Sequence, residues 1–327
     1  MNLHENKTLF RQAVQFTADQ LKIDAVYIEK DYWVTYVLHA IFSNEIGKET
    51  IFKGGTALSK GKLIDRFSED VDLVVLRNEG ESDSRMKTKL KKISTLVGSI
   101  LPEVEIEGVT NKLGMIRKTA HTYSKEIAGD LGQIRDVIVL ESTWLGNYDP
   151  FANQSLNSLV GEMMADNGQV ATAEEYGMIP FEARVLDTTR TFCEKIMSLV
   201  RFSYTEDSLE DLKKKIRHTY DLHKLLHDEK ILEFFNSPAF EVMILQVAND
   251  DVASFRNNNK WLVHHPSEAR IFKDLDSIWE ELKPVYNSGF AKLVYGALPR
   301  DEEILQSLNL IRERLKPIAW TIELAVN

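Results

Sequence analysis

Asp70 and Asp72 stand one residue apart in Arg66-Phe67-Ser68-Glu69-Asp70-Val71-Asp72-Leu73-Val74-Val75, at the head of a β-branched apolar run. In a strand, alternate side chains share a face, so the two carboxylates point the same way. Same-side carboxylates at that spacing repel each other unless a cation sits between them. Upstream lies Phe52-Lys53-Gly54-Gly55-Thr56-Ala57-Leu58-Ser59-Lys60. Gly54 and Gly55 allow backbone N–H groups to approach an anion closely. If a helix starts after them, Thr56, Ser59 and Lys60 bring hydroxyl and ammonium groups within reach of triphosphate oxygens. An anion cradle beside metal-binding carboxylates is what nucleoside triphosphate chemistry needs.

The order glycine pair, spacer, D-x-D resembles the nucleotidyltransferase signature. The fuller wording K-G-G-T-A-L-x-K…R-x-S-x-D-x-D-L resembles the AbiEii/AbiGii toxin family, a branch of that superfamily. Three further segments resemble the same family. Ile28-Glu29-Lys30-Asp31-Tyr32-Trp33 is similar to an E-K-D-Y-W stretch upstream of the glycines. Arg190-Thr191-Phe192-Cys193-Glu194-Lys195 is similar to R-T-F-x-E-K, and Arg217-His218-Thr219-Tyr220-Asp221-Leu222 to R-H-x-Y-D-L.

The resemblance implies a Mg²⁺-dependent enzyme of type IV toxin–antitoxin or abortive-infection systems. It implies two ions, with Mn²⁺ as a substitute. The donor would be an NTP, the acceptor an RNA such as tRNA, and the partner a cognate antitoxin. Asp70 and Asp72 would be metal ligands. A third acid is expected on a neighbouring strand, and Ile134-Arg135-Asp136-Val137-Ile138-Val139-Leu140-Glu141 offers two. Asp136 and Glu141 face opposite sides of an unbulged strand, so only one can join Asp70 and Asp72. The family's V-x-L-E-like pattern, followed by an aromatic and a proline, selects Glu141, with Trp144 and Pro150 beyond. Lys195 would face the nucleotide as a point charge for the triphosphate. Asp221 would orient Lys195 or the acceptor hydroxyl, and Arg217 would hold a phosphate. Gly54, Gly55, Thr56, Ser59 and Lys60 complete the nucleotide site. Arg66 reads as an anchor. Each later cluster also has a plain reading as an intrahelical ion pair. Glu29 to Thr35 reads as a positioning helix.

The chain has 327 residues, enough for two domains. Its hydrophobic share of 43% and charged share of 28% are those of an ordinary globular protein. No apolar run reaches the length of a membrane span. The opening Met1 to Lys7 lacks a signal-peptide core, and the single Cys193 excludes an internal disulfide. A cytoplasmic protein is expected. Cys193 reads as a buried packing residue. A net charge of −10 argues against coating nucleic acid by bulk electrostatics, though a local patch could grip RNA. Two patches stand out: Arg85 to Lys92, and Lys213, Lys214, Lys215 with Arg217. Two alternatives stand beside this, and the acidity fits the first. One is transfer to a protein or a small molecule such as an aminoglycoside. The other is a nucleotide-binding regulatory module without turnover. No P-loop, dinucleotide fingerprint or zinc-ligand spacing appears.

The elements that must position these residues follow from periodicity. Helices are expected over 7–22 and 26–43. A short strand over 50–53 leads into the glycine turn, a helix runs to Asp65, and a strand over 70–76 carries the acids. A helix is expected over 85–100 and strands near 103–108, 113–121 and 134–142. Residues 151–176 read as loop with short helices. Helices are expected over 188–203, 207–228, 231–236, 240–249, 267–281, 286–295 and 301–315. The fold class is α/β (α+β): a small mixed sheet with flanking helices over 1–150, then a mainly α-helical domain over 151–327 that contributes to the active-site cleft.

Overall fold

The computed structural model describes residues 1–129, 132 and 134–324. The chain divides into two units. The first comprises Met1–Gly61, Phe67–Trp144 and Phe151–Leu186. The second comprises Lys62–Arg66, Leu145–Pro150 and Asp187–Asn327. Among the described residues, no single helix is long and apolar enough to cross a membrane.

The first unit is α/β. Its elements run α1 (Lys7–Leu21), α2 (Ala25–Phe42), β1 (Thr50–Lys53), α3 (Gly54–Lys60), β2 (Val71–Val75), α4 (Asp83–Gly98), β3 (Glu103–Val104), β4 (Ile116–His121), β5 (Ile138–Thr143), β6 (Phe151–Leu156), α5 (Leu159–Asp166), α6 (Val170–Glu175) and β7 (Phe181–Leu186). The seven strands form one mixed sheet in the order β3-β4-β5-β2-β1-β7-β6. β2 runs parallel to β5 and β1 to β7, and the other neighbours are antiparallel.

The alternation of β2 explains how the sheet is built. Val71, Leu73 and Val75 are buried on one face, in line with Leu140 and Ser142 of β5 and with Phe52 and Thr50 of β1. α4 covers this face, and Arg117 of β4 donates to Ser94 Oγ of α4 at 2.6 Å. α2 is apolar nearly all round, with Val26, Ile28, Trp33, Val34, Val37, Leu38 and Ile41 buried, as a helix enclosed by α1, α4, α5 and β7 must be. Asp24 starts it, its Oδ1 accepting from Val26 N at 3.3 Å.

The second unit is helical: α7 (Thr188–Phe202), α8 (Ser208–Lys214), α9 (Ile216–Leu226), α10 (Glu229–Asn236), α11 (Pro238–Ser254), α12 (Arg270–Lys273), α13 (Leu275–Val285) and α14 (Asp301–Leu315). α7 packs on α9 and α11, and α14 on α9 and α13. Ile304, Leu308, Ile311 and Leu315 form the inner stripe of α14, all fully buried.

Several expectations differ from this picture. The chain does not divide at 150, because 151–186 adds two strands to the sheet of the first unit. β6 escapes periodicity because Phe151, Ala152, Asn153 and Ser155 are exposed on an edge strand. β7 did carry a signal, with Ala183 and Val185 buried between outward Glu182 and Arg184. The expected strand at 134–142 begins only at Ile138. The helix expected over 207–228 breaks at Lys215 into α8 and α9.

Candidate active site

The ladder between β2 and β5 places Asp72 directly beside Glu141. Register partners share a face of the sheet. β1 sets Lys53 against Asp72 on one side, and β4 sets Lys118 against Glu141 on the other. Four neighbouring strands thus present one row, Lys53, Asp72, Glu141, Lys118, on the face opposite Leu73 and Ser142. Asp70, two residues before Asp72, lies just ahead of β2.

Charge in this row is not evenly satisfied. Burial pushes the Asp72 carboxyl up to about 7, the negative charges of Asp70 and then Glu141 add to the push, and Lys53 and Lys118 oppose it. The two outer acids have cationic partners. Lys118 Nζ lies 3.0 Å from Glu141 Oε2, and Arg135 Nη1 lies 3.4 Å from Asp70 Oδ1. Asp136, the alternative third acid, stands outside β5, exposed and paired with Lys125.

The glycine pair has a geometric role next to these acids. Gly54 has φ +82°, a conformation that side chains disfavour, and a Cβ there would overlap Asp72 Oδ2. The absent side chain therefore gives the Asp72 carboxylate its place against the backbone. Gly55 follows in the first turn of α3. Thr56 is buried and donates to Ser68 Oγ at 3.0 Å, which ties α3 to the segment entering β2. Ser59 sits half-buried on α3. Lys60 is engaged inside the unit: its Nζ donates to Asp31 Oδ1 and Thr35 Oγ1, each at 2.6 Å, and to the Asn157 carbonyl at 3.0 Å. All three protons of its ammonium group are accounted for.

The triplet Glu29-Lys30-Asp31 ties down several separate segments from one turn of α2. The Glu29 carboxylate accepts from Glu126 N at 2.7 Å and Ile127 N at 3.2 Å. Lys30, fully buried, pairs with Glu69 Oε2 at 2.5 Å and donates to the carbonyls of Arg135 and of Val137, the latter at 3.0 Å. Asp31 holds Lys60 and accepts from Leu159 N at 2.8 Å. Burial pushes the Glu69 carboxyl up and the Lys30 ammonium down, and their mutual attraction opposes both shifts. Lys30 thereby links the residue before Asp70 to the segment entering the Glu141 strand. Sequence reading gave this helix a positioning role without seeing its targets, because each target lies far along the chain.

The other predicted residues belong to the second unit and gather around one carboxylate. Asp221, fully buried on α9, accepts from Arg66 Nε at 2.6 Å and Nη2 at 2.7 Å. It also accepts from Lys195 Nζ of α7 at 2.7 Å. Burial alone would raise its pKa, but Arg66 and then Lys195 hold the carboxyl well below the usual carboxylate range. The Lys195 ammonium is pushed down by burial and supported by Asp221. His218 Nδ1 lies 3.4 Å from Lys195 Nζ, and burial followed by the Lys195 charge pushes the imidazole pKa far down. Arg66 is the anchor that its position suggested. Arg217 is half-buried on α9. Arg190 is a structural tie, bound to Glu194 at 3.2 Å and Asp250 at 2.6 Å. Cys193 is buried.

Sequence reasoning missed Lys118 and Arg135, and left Lys53 without a role. The signal for Lys118 was a basic residue in a predicted strand, but only the β4–β5 register shows that it faces Glu141.

A sheet with a glycine turn, an acid-bearing strand and an in-register acid on its parallel neighbour defines the class, a nucleotidyltransferase. The profile of the family described as nucleotidyl transferase AbiEii toxin, type IV TA system, matches residues 37–306, and the chain belongs to that family. Among solved structures, the chain is similar to a putative nucleotidyltransferase from H. pylori, with 14% identity, 87% of this chain and 93% of that chain covered, and a TM-score of 0.42. It is also similar to MenT4, a nucleotidyltransferase toxin from Mycobacterium tuberculosis H37Rv, with 15% identity, 91% and 99% covered, and a TM-score of 0.42. No relative is found among the curated proteins.

Proposed function

We propose that this nucleotidyltransferase toxin uses Mg²⁺ and an NTP to transfer a nucleotide to an RNA acceptor, tRNA being the first to try. The observation that carries the metal reading is the in-register pair Asp72–Glu141 with Asp70 two residues before it. These three side chains offer only hard carboxylate oxygens, the donor set suited to Mg²⁺ or Mn²⁺. Their mutual repulsion, expressed at Asp72, is what a divalent cation relieves. Among the described residues no three acidic, histidine or cysteine side chains already converge on one point. The outer two acids are instead turned to Lys118 and Arg135. The residues fit the ion by charge and donor type, and Asp70, Asp72 and Glu141 would hold it. Bound there, divalent ions would lower the pKa of an attacking hydroxyl and neutralise the leaving pyrophosphate.

Gly54 makes room for the Asp72 carboxylate, and Lys30 holds the segments that carry Asp70 and Glu141. Nucleotide binding by Gly55, Thr56, Ser59, Lys195 and Arg217 is proposed from the family resemblance. For Lys60 the geometry supports a tether between α3 and α2.

The RNA reading draws support from α4. Lys87, Lys91 and Lys92 are exposed there, with no acidic partner among the described residues. The patch on α8 is less suited, since Lys213 pairs with Glu210 at 2.7 Å and Lys214 with Asp211 at 2.9 Å. A net charge of −10 favours a second reading, transfer to a protein or a small molecule. Such an enzyme would work in the cytoplasm beside its antitoxin. The test is incubation with each radiolabelled NTP, Mg²⁺ and either total tRNA or lysate. Label on RNA supports the first reading, label on protein or metabolite the second. No label above an Asp72→Asn control overturns both.

A further inference from the structure

The row on the sheet carries a feature that the proposed metal site does not use. Lys118 reaches across the β4–β5 ladder to Glu141 Oε2 at 3.0 Å. Its strand, β4, lies on the side of β5 away from β2, so Lys118 stands at the end of the row. Both side chains keep part of their surface in water, 27% for Lys118 and 34% for Glu141. An ion pair so exposed is weak and exchanges readily. Arg135 stands in the same relation to Asp70, with its backbone fixed while its side chain remains 42% exposed.

We propose that Lys118 is an internal counter-ion that holds Glu141 and gives it up when a divalent cation binds between Glu141 and Asp72. The inference rests on the metal reading of Asp70, Asp72 and Glu141. Two in-register carboxylates on adjacent strands repel, so the sheet needs positive charge beside them to keep this register in the absence of an ion. Lys53 and Lys118 supply it from the two flanking strands, and Arg135 from the loop. Three carboxylates then face three side-chain cations. A divalent ion competes with Lys118 for the same oxygens, so the ammonium must swing toward solvent, where its exposure already places it. The pair thus raises the cation concentration needed to fill the site, by the modest factor that an ion pair of this exposure contributes. An ammonium group released at that point is available to a phosphate oxygen.

The test is Mn²⁺ affinity of the full chain, read by electron paramagnetic resonance without nucleotide, for the parent, Lys118→Met, Lys118→Arg and Asp72→Asn. Lys118→Met removes the competing charge at similar length, and its affinity is expected to rise about twofold to fivefold. Lys118→Arg keeps the charge and is expected to match the parent. Asp72→Asn is expected to lose at least about tenfold. Unchanged affinity in Lys118→Met with a weakened Asp72→Asn overturns the inference and leaves the metal reading standing. Parent-like affinity in Asp72→Asn overturns the metal reading itself, and the inference with it. Lysine acylation of the parent, read by mass spectrometry, decides the question even if Lys118→Met does not fold. Labelling at Lys118 is expected to rise several-fold on adding Mg²⁺, and equal labelling overturns the inference.

Discussion

At Asp72, burial and two neighbouring carboxylates act against ionisation, while Lys53 and Lys118 act for it. Neutralising this residue relieves repulsion without opening a cavity. Asp72→Asn is therefore expected to melt at or above the parent temperature while losing transfer by roughly a thousandfold, about 4 kcal/mol of barrier. Normal turnover by the folded variant, or a marked drop in its melting temperature, would sink the assignment. Asp221 presents the opposite case. Arg66 and Lys195 share this one buried carboxylate, so each cation depends on it. Lys195→Ala removes one of these two cations. The structure points to a loss of about 3 kcal/mol in chemical denaturation, because a buried pair is broken. The pH dependence follows from the depressed pKa of Asp221. The unfolded chain binds the proton more readily than the folded one, so this contribution is full above about pH 4, the unfolded value, and shrinks on acidification below it. The stability gap between parent and Asp221→Asn should accordingly be constant from pH 5 to 7, on the order of 3 kcal/mol, and narrow toward pH 3. A gap that does not change with pH would return the network to an uncharged packing role.

Helix α4 shows how an element divides its labour. Met86, Leu90, Ile93 and Val97 face the sheet, and Lys89 is buried against Glu49 and Glu81, each at 2.5 Å. Of its basic run Arg85, Lys87, Lys91 and Lys92 remain turned to solvent, and Arg85 lies 3.8 Å from Glu81. Sequence reading could see the run but not which lysines were already spoken for, because Glu49 and Glu81 lie outside the helix. The α8 patch differs: its acids, Glu210 and Asp211, stand one turn away in the same helix and were visible but unweighted. Where one element carries its own signal, the reading was close. Residues 50–53 form β1 as expected, and the stripe on α14 was legible from its spacing. Glu141 could be favoured over Asp136 by the family pattern, but its pairing with Asp72 needed the register. Lys118 needed the register twice over. For RNA binding, the element-scale expectation is specific. Replacing Lys87, Lys91 and Lys92 by Glu should abolish RNA labelling and lower the salt slope of RNA binding by up to about three units, about one per phosphate contact. The matching triple change at Lys213, Lys214 and Lys215 should leave labelling near that of the parent. The reverse order would move the acceptor to α8.

On the scale of the whole molecule, the chain is threaded rather than divided in sequence. Lys62–Arg66 and Leu145–Pro150 leave the first unit, belong to the second, and return. Their bonds show why. Arg66 holds Asp221, Asp65 takes Lys224 at 2.7 Å and accepts from Tyr295 N at 3.0 Å, and Gly146 N donates to Ser254 Oγ at 3.0 Å. A fragment ending at 150 would keep the acids yet lose β7, the parallel neighbour of β1. A fragment ending at 186 would keep all seven strands and leave these two excursions without their partners. Hydrophobic burial in the sheet then competes with two unmet segments, one of them carrying the arginine that binds Asp221. Fragment 1–186 is expected to unfold cooperatively at a temperature well below that of the full chain, and fragment 1–150 to show no cooperative transition. Differential scanning calorimetry of the three chains checks the order. A fragment 1–150 that melts as sharply as 1–186 would show that β6 and β7 are dispensable to the sheet, and would restore the boundary that the change of pattern after Pro150 first suggested.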